Sequence, residues 1–145
     1  MNDKIDRISV RTLLSRVSNS WHMTGSRYIC NPPPIDTDED YIIYGDLHVI
    51  EEAFLQAGFK LTTDPEYDGG SWFLTFRLEE FNIIATDSKV FYERFVAATV
   101  SARDRNILNK GDRIAFFKEI LYGDVVGKTY SFKGSIVPIT EREIV

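Results

Sequence analysis

The chain carries a single cysteine, Cys30, among its 145 residues. That excludes an intramolecular disulfide framework and any site built from several thiolates. It has no apolar run near the roughly 18 residues that a membrane-spanning helix requires. Its first residues, Met1 to Arg11, mix charges and lack the apolar stretch of a secretory signal. These absences lead us to expect a soluble, cytoplasmic protein with no membrane partner. Basic residues are outnumbered: 17 Lys+Arg stand against 22 Asp+Glu, a net charge of −5. A strongly basic nucleic-acid coat is thereby excluded, although a local basic patch is not. No repeat, low-complexity tract or Gly/Ser/Pro linker divides the chain. We therefore expect a single domain over 1–145, with a core to about residue 87, a helical supplement over about 88–123 and a tail over 124–145.

What is present suits a globular protein. Apolar residues make up 43% of the chain, with 10 Phe, 7 Tyr and 2 Trp among them. Ile5, Ile8, Leu13, Leu14 and Val17 have the spacing of a helix with one buried stripe. Trp21–Thr24 reads as a short strand running into Gly25-Ser26, and Asn31-Pro32-Pro33-Pro34 can only be loop. The β-formers before Gly45 predict a strand over Asp40–Tyr44. Val49, Ile50, Ala53, Phe54 and Ala57 then form a helical stripe that Gly58 stops. Phe59–Leu61, Trp72–Leu78 and Phe81–Thr86 predict strands, the last two joined as an antiparallel hairpin near Glu79-Glu80. Two helices follow. One starts near Asp87-Ser88 and buries Val90, Phe91, Phe95, Ala98 and Ala102; the other is capped by Asn109 or Asp112 and buries Ile114, Phe117, Ile120 and Leu121. Tyr130–Phe132 and Ile136-Val137 read as extended pieces of the tail. The expected fold class is α+β: a small mixed sheet with helices covering one face, and C-terminal helices.

Chemistry concentrates between Thr24 and Tyr44. Asp38 and Asp40, alternate residues of one strand, project to the same side about 7 Å apart. Two carboxylates that close repel unless a cation lies between them, and Mg²⁺ is often held by one or two carboxylates plus substrate phosphates. Gly25 lets a phosphate approach the backbone, and Ser26 can donate to its oxygens, with the Arg27 charge alongside. A calcium loop does not fit, because Tyr41 stands where that loop needs glycine.

Gly25-Ser26, eleven intervening residues, then Asp38-Glu39-Asp40 and the strand Tyr41-Ile42-Ile43-Tyr44 resemble the signature of the polymerase-beta-type nucleotidyltransferase superfamily. The resemblance spans about Trp21 to Ile84, and the helices from Ser88 to Tyr122 resemble the helical supplement of small stand-alone members; the short, compact organisation would also fit a small phage or mobile-element protein. It implies that Ser26 contacts a nucleoside triphosphate and that Asp38 and Asp40 bind Mg²⁺ (or Mn²⁺). It further implies a third carboxylate, from a later strand, that helps to activate an acceptor hydroxyl. Asn82 stands where that carboxylate is sought, and an amide cannot act as an anionic base. Glu80, two residues earlier, and Asp87, at the strand's far end, are its candidate replacements. Glu39 also departs from the pattern, which usually has an apolar residue between the two aspartates.

The expected site therefore comprises Asp38, Asp40 and Glu80 as catalytic residues. Gly25, Ser26, Arg27, Arg77 and Asn82 are expected to contact the nucleotide, Arg77 from the hairpin bordering the site. The acceptor is left open among a small molecule, a protein side chain and an RNA end, the last weakly disfavoured by the acidic balance. Two rival expectations stand beside this one: a nucleotide-sequestering protein without transfer activity, and an interaction module with merely exposed aspartates. His22, His48 and Cys30 have no partner spacing that suggests catalysis. Arg103, Arg105, Lys110 and Arg113 read as a solvated helix junction, with a small basic surface for a triphosphate or polynucleotide as the alternative.

Overall fold

The computed structural model describes residues 5–30, 33, 38–62, 73–122, 129–132 and 135–138. In chain order the elements are α1 (Arg7–Val17), β1 (Ser20–Thr24), α2 (Ser26–Ile29), β2 (Glu39–Tyr44), α3 (Leu47–Gln56) and β3 (Lys60–Thr62). There follow β4 (Leu74–Leu78), β5 (Phe81–Thr86), α4 (Lys89–Asp104), α5 (Lys110–Tyr122), β6 (Thr129–Phe132) and β7 (Ser135–Pro138). The fold is α+β, as expected. Capping residues set several helix starts: Asp6 accepts from the Ser9 N–H, Asp46 from those of His48 and Val49, and Ser88 from that of Phe91. The Asn109 side chain accepts from the Asp112 N–H at the start of α5.

Five strands make one mixed sheet in the order β1-β2-β5-β4-β3. Its only parallel neighbours, β2 and β5, lie at the centre, and every other adjacent pair is antiparallel. Both central strands are buried on both sides. Ile42 and Ile84 face α4 and α5, where they pack with Phe91, Phe95, Phe117, Ile120 and Leu121. Tyr41, Ile43, Ile83 and Ala85 face α1 and α3, where they pack with Val10, Leu14, Ile50 and Phe54. Helices thus cover both faces, not one. The near-continuous apolar runs of β2 and β5 are the pattern of strands buried from both sides, as in a parallel sheet.

Smaller departures follow from helix phase. Ile8 is 77% exposed, and Val10 takes the buried place assigned to it. Val49 is likewise turned out, leaving Ile50 and Phe54 to seal α3. The tail segments pair antiparallel as β6 and β7, a separate two-stranded sheet with β6 beside α4. Trp72 and the residues between Asp64 and Gly70 lie outside the described residues, as does the triple-proline loop apart from Pro33. Among the described residues no helix is long and apolar enough to cross a membrane.

Candidate active site

Sheet register draws the expected residues into one row. Thr24 pairs with Asp40, Asp40 with Asn82, and Asn82 with Arg77, so the row crosses β1, β2, β5 and β4 at one end of the sheet. Alternation puts these side chains on the α4 face, where Thr24 Oγ1 lies 2.8 Å from Thr99 Oγ1. Asn82 occupies the third position of the row and donates from Nδ2 to Asp40 Oδ1 at 3.2 Å.

Gly25 closes the row against Asp40. Its φ of +75° is a conformation that residues with a side chain rarely adopt, and a Cβ there would lie 1.9 Å from Asp40 Oδ2. The carboxylate therefore sits directly on the glycine turn, a contact that only the missing side chain allows. The turn leads into α2, a four-residue helix that the sequence reading omits. The Gly25 carbonyl accepts from the N–H groups of Tyr28 and Ile29, and the buried Ile29 fixes the turn in the core.

Asp38 lies just before β2 and is gripped by Arg77, whose Nη1 and Nη2 reach its two oxygens at 2.9 and 2.6 Å. Such a fork-to-carboxylate pair is the strong geometry for arginine. The Asp38 hydrogen bonds are the main reason that Arg77 holds its proton more tightly than usual; partial burial opposes this, and the charges of Asp38 and Asp40 reinforce it. Asp38, Asp40 and Arg77 thus share one electrostatic field. The two carboxylates present hard oxygen atoms, the donor type that Mg²⁺ takes together with substrate oxygens. Among the described residues no trio of His, Cys, Asp or Glu is placed to hold a metal.

The other expected residues face elsewhere. Glu39 points to the α1 side, fully buried, where it takes Arg7 Nε at 2.6 Å, the Tyr41 hydroxyl at 2.5 Å and the Arg27 guanidinium at 3.6 Å. Arg11 Nε donates to the same tyrosine oxygen at 2.9 Å. Burial, and then the hydrogen bond to Glu39, push the Tyr41 hydroxyl up to about 12. Arg27 and Glu80 line a cavity of about 260 Å³ with Ile5, Asp6, Arg7, Glu39 and Phe81. Glu80 belongs to the β4–β5 turn, where its carbonyl accepts from the Glu39 N–H. Asp87 follows the far end of β5 and lines a separate cavity with Asp46, His48 and Glu51. His22 is buried, its ring edge-on to Tyr28, and His48 is exposed in the first turn of α3.

One contact was absent from the expected set. Arg113, in the first turn of α5, is only 8% exposed and donates from Nη2 to Ser26 Oγ at 3.0 Å. Its Nη1 reaches the Leu108 carbonyl and, at 3.6 Å, Cys30 Sγ. It is not part of a solvated junction. The signal was available: Arg113 stands four and seven residues before Phe117 and Ile120, on the stripe that α5 buries.

Comparison with protein-family models, with curated proteins and with solved structures found no match to this chain.

Proposed function

We propose that the chain is a Mg²⁺-dependent (or Mn²⁺-dependent) nucleotidyltransferase-like protein that binds a nucleoside triphosphate at the Gly25–Ser26 turn beside Asp40 and transfers the nucleoside monophosphate to a hydroxyl acceptor. The observation that carries this reading is the Asp40 carboxylate packed on Gly25, with Asp38 paired to Arg77 of the same row. Gly25 admits the polyphosphate to the backbone, and the Ser26 hydroxyl donates to its oxygens. Asp38 and Asp40 would hold the metal, and Arg77, paired with Asp38, would lie beside the substrate as a cation. Bound Mg²⁺ supplies neutralisation of the charge that builds up between attacking oxygen and leaving group. The acceptor oxygen forms a bond to the α-phosphorus, the bond to the bridging oxygen breaks, and pyrophosphate leaves while the hydroxyl proton passes to solvent. Alignment and charge neutralisation carry the rate, since Asn82 cannot take that proton as an anionic base.

Asn82 favours a second reading, in which the site holds the nucleotide and transfers nothing. Thermal shifts with each nucleoside triphosphate, with and without Mg²⁺, test binding; release of pyrophosphate separates transfer from sequestration. Asp38→Asn and Asp40→Asn are each expected to abolish Mg²⁺-dependent stabilisation in a chain that still folds. No stabilisation of the unaltered protein by any triphosphate would leave the interaction module standing instead.

A further inference from the structure

Among the described residues, nothing supplies a counter-charge to the Arg113 guanidinium. Arg113 is 8% exposed, and among the described residues no carboxylate pairs with it: its contacts are the Ser26 hydroxyl, the Leu108 carbonyl and the Cys30 sulfur. Removing a guanidinium from water without a counter-charge is unfavourable, so a buried arginine of this kind is at its most stable beside an anion. Its planar fork matches phosphate oxygens. One arm of that fork already rests on the serine of the glycine turn.

We infer that Arg113 is a polyphosphate ligand, delivered by α5 to the Gly25–Ser26 turn, where it holds the terminal phosphates of the substrate. This deepens the reading of the site given above and rests on it. The hydrogen bond has a direction that matters. Ser26 Oγ accepts from Arg113 Nη2, which leaves the serine's own proton to donate outward, and a hydroxyl polarised in this way is the better donor. Arginine and serine would then grip neighbouring phosphate oxygens together. Because Ser26 belongs to α2 and Arg113 to α5, a bound polyphosphate also ties the helical supplement to the strand core.

Titration calorimetry of the full chain with inorganic tripolyphosphate, with and without Mg²⁺, tests this without any assumption about the base or the acceptor. Arg113→Gln is expected to weaken binding at least tenfold in both conditions, and Arg113→Lys, which keeps the charge but loses the fork, to fall between. Lys118→Gln, which removes one exposed charge from the same helix, is expected to bind as the unaltered chain does. Asp40→Asn is expected to lose only the Mg²⁺-dependent part. In the unaltered protein, the Arg113 Nε–H resonance is expected to shift on titration, which keeps the test open should Arg113→Gln not fold. A folded Arg113→Gln chain with undiminished affinity, or an Nε–H resonance that stays in place, would overturn the role of Arg113. The metal site survives that result if Asp40→Asn still removes the Mg²⁺ dependence. Failure of the unaltered protein to bind tripolyphosphate in either condition overturns both.

Discussion

Three consecutive acids, Asp38, Glu39 and Asp40, meet opposite environments because strand alternation sends them to opposite faces of one sheet. Glu39 is wholly buried among Arg7, Arg27 and the Tyr41 hydroxyl, every contact made to protein. Asp38 and Asp40 remain accessible at the row's edge, the first held by Arg77 and the second by Asn82. A carboxylate enclosed by its partners stabilises a fold, whereas one whose partners can be exchanged can take a ligand. Charge alone does not separate these roles; the side of the strand does.

The comparison is broken most severely at Glu39. Glu39→Ala leaves Arg27 and Tyr41 facing a void, and the loss of one partner of a buried ion pair predicts destabilisation of about 3 kcal/mol. That value is at the low end of the range because Arg7 stays largely in water. Urea unfolding measures it, and a change under 1 kcal/mol would show that the buried network does not support the fold. Gly25→Ala comes next: a positive-φ residue gaining a Cβ costs on the order of 1–3 kcal/mol. The new atom also displaces Asp40, so triphosphate-dependent stabilisation should disappear along with the lost stability.

A smaller effect, of about 1–2 kcal/mol, is expected for Tyr41→Phe, which strips a hydrogen bond from Glu39 and another from Arg11. The same side chain predicts a pH dependence. Tyr41 and Tyr92 are both pushed up to about 12, chiefly by burial. The unfolded chain releases these protons near pH 10, whereas the folded chain keeps them to about 12. Their contribution is therefore complete below pH 10 and is lost as the pH rises towards 12. Chemical unfolding across that window should show falling stability, with a shallower fall in Tyr41→Phe.

The smallest effect belongs to the open side. A double-mutant cycle on Asp38 and Arg77, each nearly half exposed, should give about 0.2–1 kcal/mol, falling with added salt. A coupling as large as that at Glu39 would erase the distinction between the two faces.

Much of this was legible in the sequence. Periodicity and turn residues point to each of the five strands of the large sheet and to four of the five helices, and spacing singles out Gly25-Ser26 and Asp38–Asp40, of which the structure sets Asp40 against Gly25. What escaped the reading depends on tertiary contacts. A four-residue helix such as α2 has too few positions for a period. Arg27 and Glu80 sit beside the motif in sequence, but their side chains join the cavity beneath Glu39. Two-sided burial of β2 and β5 is written in their apolar runs, which the expectation of a single covered face passes over. Arg113 reads as solvated because arginine usually is, although its place on the apolar stripe of α5 turns it inward.

Titration calorimetry with non-hydrolysable analogues of the four nucleoside triphosphates, in the presence and absence of Mg²⁺, tests most directly whether the open face is a ligand site. Unaltered protein should bind at least one of them with one-to-one stoichiometry and a clear Mg²⁺ dependence, and Asp40→Asn should lose that dependence while keeping its fold. Affinity indifferent to Mg²⁺, or the same in Asp40→Asn as in the unaltered chain, would contradict the account.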